Sequence, residues 1–121
     1  MRIFLAGNVK SEATRRYLET LATKLEARGF EVFLPHRDGS LPGKTGSAKG
    51  LLTRDDANRM GRFVFEGNLQ YITESDAVVA LLDGLCWGTT LELGYSYAYK
   101  TLVKPTLKII GVMTPESWTL G

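Results

Sequence analysis

Ala77-Val78-Val79-Ala80-Leu81-Leu82 is the stretch that decides the fold. An unbroken apolar run this short, partly β-branched, reads as a strand rather than a globular helix. It lacks the polar alternation of a strand with one wet face, so it predicts a central strand buried on both sides, as in parallel sheets. Asp83-Gly84 then turns the chain. Upstream, Ile3-Phe4-Leu5-Ala6 closed by Gly7 predicts a first strand, and Glu31-Val32-Phe33-Leu34 ended by Pro35 a short second one. Downstream, Thr106 to Val112 predicts the last strand, followed by an extended or loosely docked tail to Gly121.

Helical patterns fill the intervals. From about Ser11 to Arg28, Tyr17, Leu18, Leu21 and Leu25 fall on one face, and Gly29 is a stop signal. From about Leu51 to Thr73, Met60, Phe63, Leu69 and Ile72 can share a buried face, although Gly61 and Gly67 weaken or bend it. A third helix is expected from near Thr89 to about Leu102. Residues 36–50, with Gly39, Pro42, Gly43, Gly46 and Gly50, read as a loop, and a loop this long in a small domain is usually functional or mobile. The order β-α-β-α-β-α-β implies a parallel sheet with helices on both faces. Ligands in such sheets sit beyond the carboxyl ends of the strands. That rule selects Gly7-Asn8, Pro35 to Asp38, Asp83 to Gly88, and the chain after Val112.

Composition bounds the function. The 121 residues, 44% hydrophobic and 23% charged, make one domain, 1–121, that can bury a core without staples. The single cysteine, Cys86, excludes an intrachain disulfide, and with only His36 beside it a His/Cys metal site is not expected. No apolar run approaches the roughly 20 residues of a membrane span. Met1 to Gly7 turns polar too early for a signal peptide, so a cytoplasmic protein is expected. Net charge is +2, but residues 1–62 carry +5 and residues 63–121 carry −3. The basic half reads either as solvated helix faces or as an attraction for an anionic small molecule. Nucleic acid is not an expected partner, because no basic stripe interleaves with aromatics.

The most informative chemistry lies in Asp83-Gly84-Leu85-Cys86-Trp87-Gly88-Thr89-Thr90-Leu91-Glu92-Leu93-Gly94-Tyr95. With a helix starting at Thr89, Glu92 falls in its first turn, just past the buried strand. A helix N-terminus favours an ionised carboxylate, and a positioned carboxylate is what attack on an anomeric carbon requires. The same spacing, Thr89-x-x-Glu92, is also a capping box, in which Glu92 only bonds the Thr89 amide. Both readings fit. Gly88 would let a ligand approach the helix start, and Gly94, costly inside a helix, suggests close packing.

Four blocks together resemble the nucleoside 2-deoxyribosyltransferase family: Ile3 to Gly7, Gly29 to Pro35, Ser75 to Gly84, and Gly88-Thr89-Thr90-Leu91-Glu92-Leu93-Gly94-Tyr95. The resemblance covers about residues 2–112, and the last block is its most specific part. It implies a flavodoxin-like (Rossmann-like) three-layer α/β sandwich with a parallel sheet of four to five strands, and no cofactor. It implies cleavage of the N-glycosidic bond of a 2'-deoxynucleoside. Glu92 would attack C1' to form a covalent deoxyribosyl intermediate, and a second base or water would take the sugar. The expected partners are a small-molecule nucleoside or nucleotide and a free nucleobase.

Two positions depart from the family's pattern. Asn68 and Cys86 stand where it usually has aspartates. An amide can hold a base by hydrogen bonds but cannot protonate it as a carboxylic acid can. Glu66 and Asp83 are the possible substitutes, though each also reads as a surface or turn acid. Gly7 and Asn8 are candidate contacts for a sugar hydroxyl or phosphate, or a plain turn before an N-cap at Ser11. Lys10 resembles the branch of the superfamily that hydrolyses nucleoside 5'-monophosphates. Arg37 and Asp38 would close over the base, or pair locally in a loop. Trp87 would stack on a base, or serve core or interface. Cys86 reads as a small buried filler as well as a site residue, and His36 as structural or exposed. Tyr95, Tyr97, Tyr99, Phe63 and Phe65 read as core or interface, which with the resemblance favours a homo-oligomer.

Overall fold

A sheet whose central strands are apolar over Ile3 to Ala6 and Ala77 to Leu81 must bury both faces, and helices provide the cover. The computed structural model describes residues 1–39 and 54–113. Its element order is β1 (Arg2–Ala6), α1 (Glu12–Ala27), β2 (Glu31–Phe33), α2 (Pro35–Asp38), α3 (Arg54–Thr73), β3 (Ala77–Leu81), α4 (Trp87–Leu102) and β4 (Lys108–Val112). The four strands are all parallel, in the order β2-β1-β3-β4. This is the flavodoxin-like order, with its reversal between β1 and β3.

All five β3 residues are buried, as the apolar run requires. Alternate residues feed two cores. Ile3, Leu5, Val32, Ala77, Val79 and Leu81 pack against Leu18 and Ala22 of α1 on one face. Phe4, Ala6, Val78 and Ala80 pack with Ile72 of α3 and with Leu93, Tyr95 and Tyr99 of α4 on the other. Phe4, Phe33 and Tyr71 stack in a row, with ring centroids 5.5 Å and 3.7 Å apart, and tie β1, β2 and α3 together. The result is a three-layer sandwich.

Polar side chains close its margins. Ser11 caps α1, its hydroxyl accepting from the Thr14 amide. Asp76 accepts from the Arg2 amide at 2.7 Å, and that charged hydrogen bond holds its carboxyl below the usual range. Lys104 donates to the Ser75 carbonyl, and Lys100 to those of Pro105 and Leu107. These contacts lock the turns that lead into β3 and β4.

Several expectations are corrected. Pro35 does not simply end β2. It starts a single helical turn, α2, because its fixed φ and missing N–H suit the first helical position. Strand β4 begins at Lys108, not Thr106, and α3 runs unbroken past Gly61 and Gly67. Tyr17 is substantially exposed, and the buried stripe of α1 is Leu18 and Ala22 with Leu21 and Leu25 beside them. Among the described residues nothing lies within 4 Å of a Cβ placed on Gly94, so close packing within the chain does not explain that glycine. The glycine-rich segment beyond Gly39, the start of the second helical stretch at Leu51, the side chains of Met60 and Phe63, and the tail lie outside the described residues.

Gly7, by contrast, has a packing reason. A Cβ there would stand 2.9 Å from Leu18 Cδ1, and Leu18 is fully buried. Replacing Gly7 with valine overfills the joint between β1 and α1. We expect Gly7→Val to lower the unfolding free energy by about 1–3 kcal/mol in urea denaturation, and an unchanged midpoint would show that the joint is loose.

Candidate active site

Strand register brings two chain segments to one place. Leu5 pairs with Val79 and Ala6 with Ala80, so β1 and β3 end at the same level. Gly7-Asn8 and Leu82-Asp83 therefore leave the sheet side by side at the topological switch point, where open α/β sheets bind ligands. The Asn8 side chain accepts from the Lys10 amide at 3.2 Å, and Arg15 donates to the Val9 carbonyl at 2.7 Å. The turn after β1 is thus held from within and from α1. After β3, Gly84 takes φ of 60°, a left-handed conformation that suits glycine, and the half-buried Asp83 precedes it.

Helix α4 starts earlier than the sequence predicts. Cys86 is its N-cap and Trp87 its first residue. Glu92 therefore lies in the second turn, and the capping box does not form. The Thr89 hydroxyl instead approaches Cys86 Sγ at 3.4 Å, and the Cys86 carbonyl accepts from the Thr90 amide and hydroxyl. Cys86 is half-buried. Burial would push its thiol up, but hydrogen bonds from the Thr89 hydroxyl and the Thr89 and Gly88 amides outweigh this and bring it below the ordinary value.

Glu92 is only 6% exposed. Asn68 Nδ2 on α3 donates to its Oε2 at 3.3 Å. Removal from water disfavours the charged carboxylate, and the amide donor only partly offsets this, so the pKa rises from 4.5 to about 7. A helix N-terminus does not dominate here, contrary to the expectation for a first-turn residue. Thr89 and Ser96 are buried on the same helix, and the Ser96 hydroxyl donates to the Glu92 carbonyl at 2.6 Å. Thr89, expected as a cap, is buried inside the helix, and its spacing of three residues from both Cys86 and Glu92 is the sequence signal for that shared face.

The remaining candidates separate. Cys86 and Gly88 sit at the start of α4, and Trp87 beside them is 85% exposed. Arg37 and Asp38 are engaged elsewhere. Arg37 bonds Glu26 at 3.0 Å, Asp38 at 2.9 Å and the Val32 carbonyl at 3.0 Å, while Asp38 accepts from the Leu34 amide. The Glu31 amide donates to Met1, so Val32 and Leu34 present their backbone groups to the open side of β2. Arg37 and Asp38 therefore seal the sheet edge, on the far side of β1 from Glu92. The Asp38 and Glu26 carboxylates hold the Arg37 guanidinium firmly charged. Glu66, a possible substitute acid, pairs with Arg62 at 2.8 Å on the surface of α3. His36 meets Glu19 at 2.9 Å, as a structural residue would. No cluster of three or more His, Cys, Asp or Glu that could hold a metal occurs among the described residues, and no helix there is long and apolar enough to cross a membrane.

The fold defines the class: an α/β protein of flavodoxin-like strand order, with one buried carboxyl, Glu92, on the helix that follows β3. The profile of the nucleoside 2-deoxyribosyltransferase family matches residues 3–116, and the chain belongs to that family. Over 54 residues it is 35% identical to an uncharacterised protein, UU063, of Ureaplasma parvum. That stretch is 45% of this chain and 34% of the relative, so the chain spans about a third of the length of the curated relative it matches. Among solved structures, CMP N-glycosidase BcmB of Clostridium botulinum aligns over 100% of both chains with a TM-score of 0.50 and 17% identity, a likeness of fold.

The buried carboxyl has a thermodynamic signature. Between pH 4.5 and about 7 the unfolded chain has released a proton that folded Glu92 still holds. Stability therefore falls as pH rises through this window, by on the order of 3 kcal/mol. Urea titrations of Glu92→Gln should show a markedly flatter profile across the window than the native chain. Equal slopes would place the carboxyl in water.

Proposed function

We propose that the chain is a nucleoside 2-deoxyribosyltransferase in which Glu92 is the nucleophile. The observation that carries this reading is the buried Glu92 carboxyl on the helix that follows β3, held by Asn68 at 3.3 Å. Family membership supports the reaction class. In the first step a Glu92 oxygen bonds to C1' as the C1'–N bond breaks, and the bonding pair leaves with the base, which takes a proton from water. In the second step the ring nitrogen of another base attacks C1' as the ester bond breaks, its N–H proton passes to water, and the carboxylate is restored. Two displacements at one carbon give retention.

Asn68 acts as a positioning residue. Its N–H fixes one carboxylate oxygen and favours the ionised form that attacks. Gly7, Asn8, Asp83, Cys86 and Gly88 line the approach for sugar and base. Arg37 and Asp38 are not assigned a substrate contact, because their polar atoms seal the β2 edge.

A second reading is hydrolysis of a nucleoside 5'-monophosphate. Lys10, in the turn before α1, and the fold likeness to a CMP N-glycosidase favour it. The two differ in acceptor and in phosphate. The chain should exchange bases between a 2'-deoxynucleoside and a free base, and without acceptor should accumulate a deoxyribosyl ester on Glu92 visible by peptide mass spectrometry. Glu92→Ala should abolish both. Base release from a 5'-monophosphate without acceptor, lost when the phosphate is removed, would instead establish the hydrolase. Binding without turnover of either substrate would reject the catalytic assignment.

The pH profile follows from the same acid. Because attack needs the carboxylate, kcat/KM should rise with pH through a midpoint near 7, the value to which burial pushes Glu92. Asn68→Ala removes the donor to the charged form and should move that midpoint upward while lowering kcat/KM by roughly tenfold or more. A midpoint that stays in place in this variant would detach Asn68 from the nucleophile.

A further inference from the structure

The edge of a sheet presents N–H and C=O groups that a further strand can pair with unless something stands in the way. Strand β2 is such an edge, and β1 is its only strand neighbour among the described residues. Because the Glu31 amide donates to Met1, the groups turned outward belong to Val32 and Leu34. Side chains meet both. Arg37 Nη2 donates to the Val32 carbonyl at 3.0 Å, and Asp38 Oδ2 accepts from the Leu34 amide at 2.9 Å. Arg37 Nε and Nη2 each also donate to Asp38 at 2.9 Å, so the two side chains act as one unit. A donor for residue 32 and an acceptor for residue 34 are the two bonds that a single residue of a parallel neighbour, opposite Phe33, would make.

We propose that the β2 edge is a strand-addition site held shut by α2: an extended polypeptide segment is the partner that fits it, and Arg37 with Asp38 exclude that partner by taking its hydrogen bonds. An extended backbone presents N–H and C=O at this spacing, so the partner is defined by conformation rather than by charge. The space beside the edge suits the same partner. A cleft of about 450 Å³ lies there, with Val32, Phe33, Arg37, Asp38 and Tyr71 in its walls. Tyr71 stacks on Phe33 and is 39% exposed, so a side chain on that face of an added strand would meet an aromatic ring.

The guard is fastened from behind. Arg37 donates to both Glu26 carboxylate oxygens, at 3.0 and 3.3 Å, and His36 Nε2 meets Glu19 at 2.9 Å, so two contacts tie α2 to α1. A strand entering here breaks charged hydrogen bonds, the stronger kind, to make neutral ones. That inequality keeps the edge closed, and removal of the charged pair reverses it.

The test is independent of the reaction proposed for Glu92. The probe is a fluorescein-labelled copy of residues 2–7, which include the strand that β2 already accepts on its inner side. The double variant Arg37→Ala, Asp38→Ala should bind it at least about tenfold more tightly than the native chain in fluorescence anisotropy. N-methylation of the peptide at Ile3, Phe4 and Leu5 should abolish the gain, because it removes the backbone donors. Hydrogen exchange reads the same edge without a ligand. The Leu34 amide should exchange at least about tenfold faster in the double variant, and regain protection with peptide bound. The Val79 amide in the central strand should stay protected, which reports an intact fold. Asp38→Ala alone, which spares the Arg37 contacts to Val32 and Glu26, should show the same loss at Leu34. Glu26→Gln, behind the guard, should leave peptide affinity at the native level. Three results would each overturn the proposal: no gain in affinity for the double variant, a methylated peptide that binds as tightly as its parent, or a Leu34 amide unchanged in both variants.

Discussion

The adjacent strands β1 and β3 are covered on both faces, and most of what the protein can do follows from that constraint. Between them they present only apolar side chains to the two cores after Arg2, so neither face of the sheet has room for polar chemistry. Their backbone groups are consumed by the ladder. What remains open is the line of carboxyl ends, where Gly7-Asn8 and Leu82-Asp83 leave together. Any ligand that engages this fold through its central strands must do so there, and the helix leaving β3 is the element that can reach it with a side chain.

Much of this was legible in the sequence because one pattern carries it. An apolar run as short as Ala77 to Leu82 has few structural solutions, and each implies helices on both sides. The start of α4 was not legible for a local reason. Thr89 is a good cap and Cys86 a poor one, so composition does not mark Cys86 as the N-cap that forms. Trp87 and Gly88 are weak helix formers, so nothing in composition marks them as the first turn. The shift moves Glu92 from a solvated helix end to a buried second turn, and so reverses which force sets its charge. Arg37 and Asp38 form the local ion pair that the sequence offers beside closure over the base, and their other contacts were illegible for a different reason. Their partners, Glu26 and the open backbone of β2, become neighbours only when β2 is known to be an edge strand.

The pair at Asn68 and Glu92 differs physically from a pair of acids. Two carboxyls at such a distance share a proton, and one of them is held neutral as a ready acid. An amide in the same place donates a hydrogen bond to the carboxylate and contributes no proton. Within the proposed mechanism, this geometry strengthens the nucleophile at the expense of the leaving group. Glu66 does not restore the balance, because Arg62 holds it on the outer surface of α3. Asp83, the other substitute the sequence offers, lies between the end of β3 and the start of α4.

That asymmetry has a chemical consequence for the proposed reaction. With no acid among the described residues hydrogen-bonded to Glu92, the base would leave with its negative charge spread over its own ring or neutralised by a proton that solvent or Asp83 delivers. Bases that spread charge well, or that are already protonated on another ring nitrogen, lose least by the exchange of a carboxyl for an amide. Bases that need a proton delivered at the scissile nitrogen lose most. Selectivity would then arise from the chemistry of departure as much as from shape, because the hydrogen bond that Asn68 on α3 makes is spent on holding the Glu92 carboxylate rather than on reading the base.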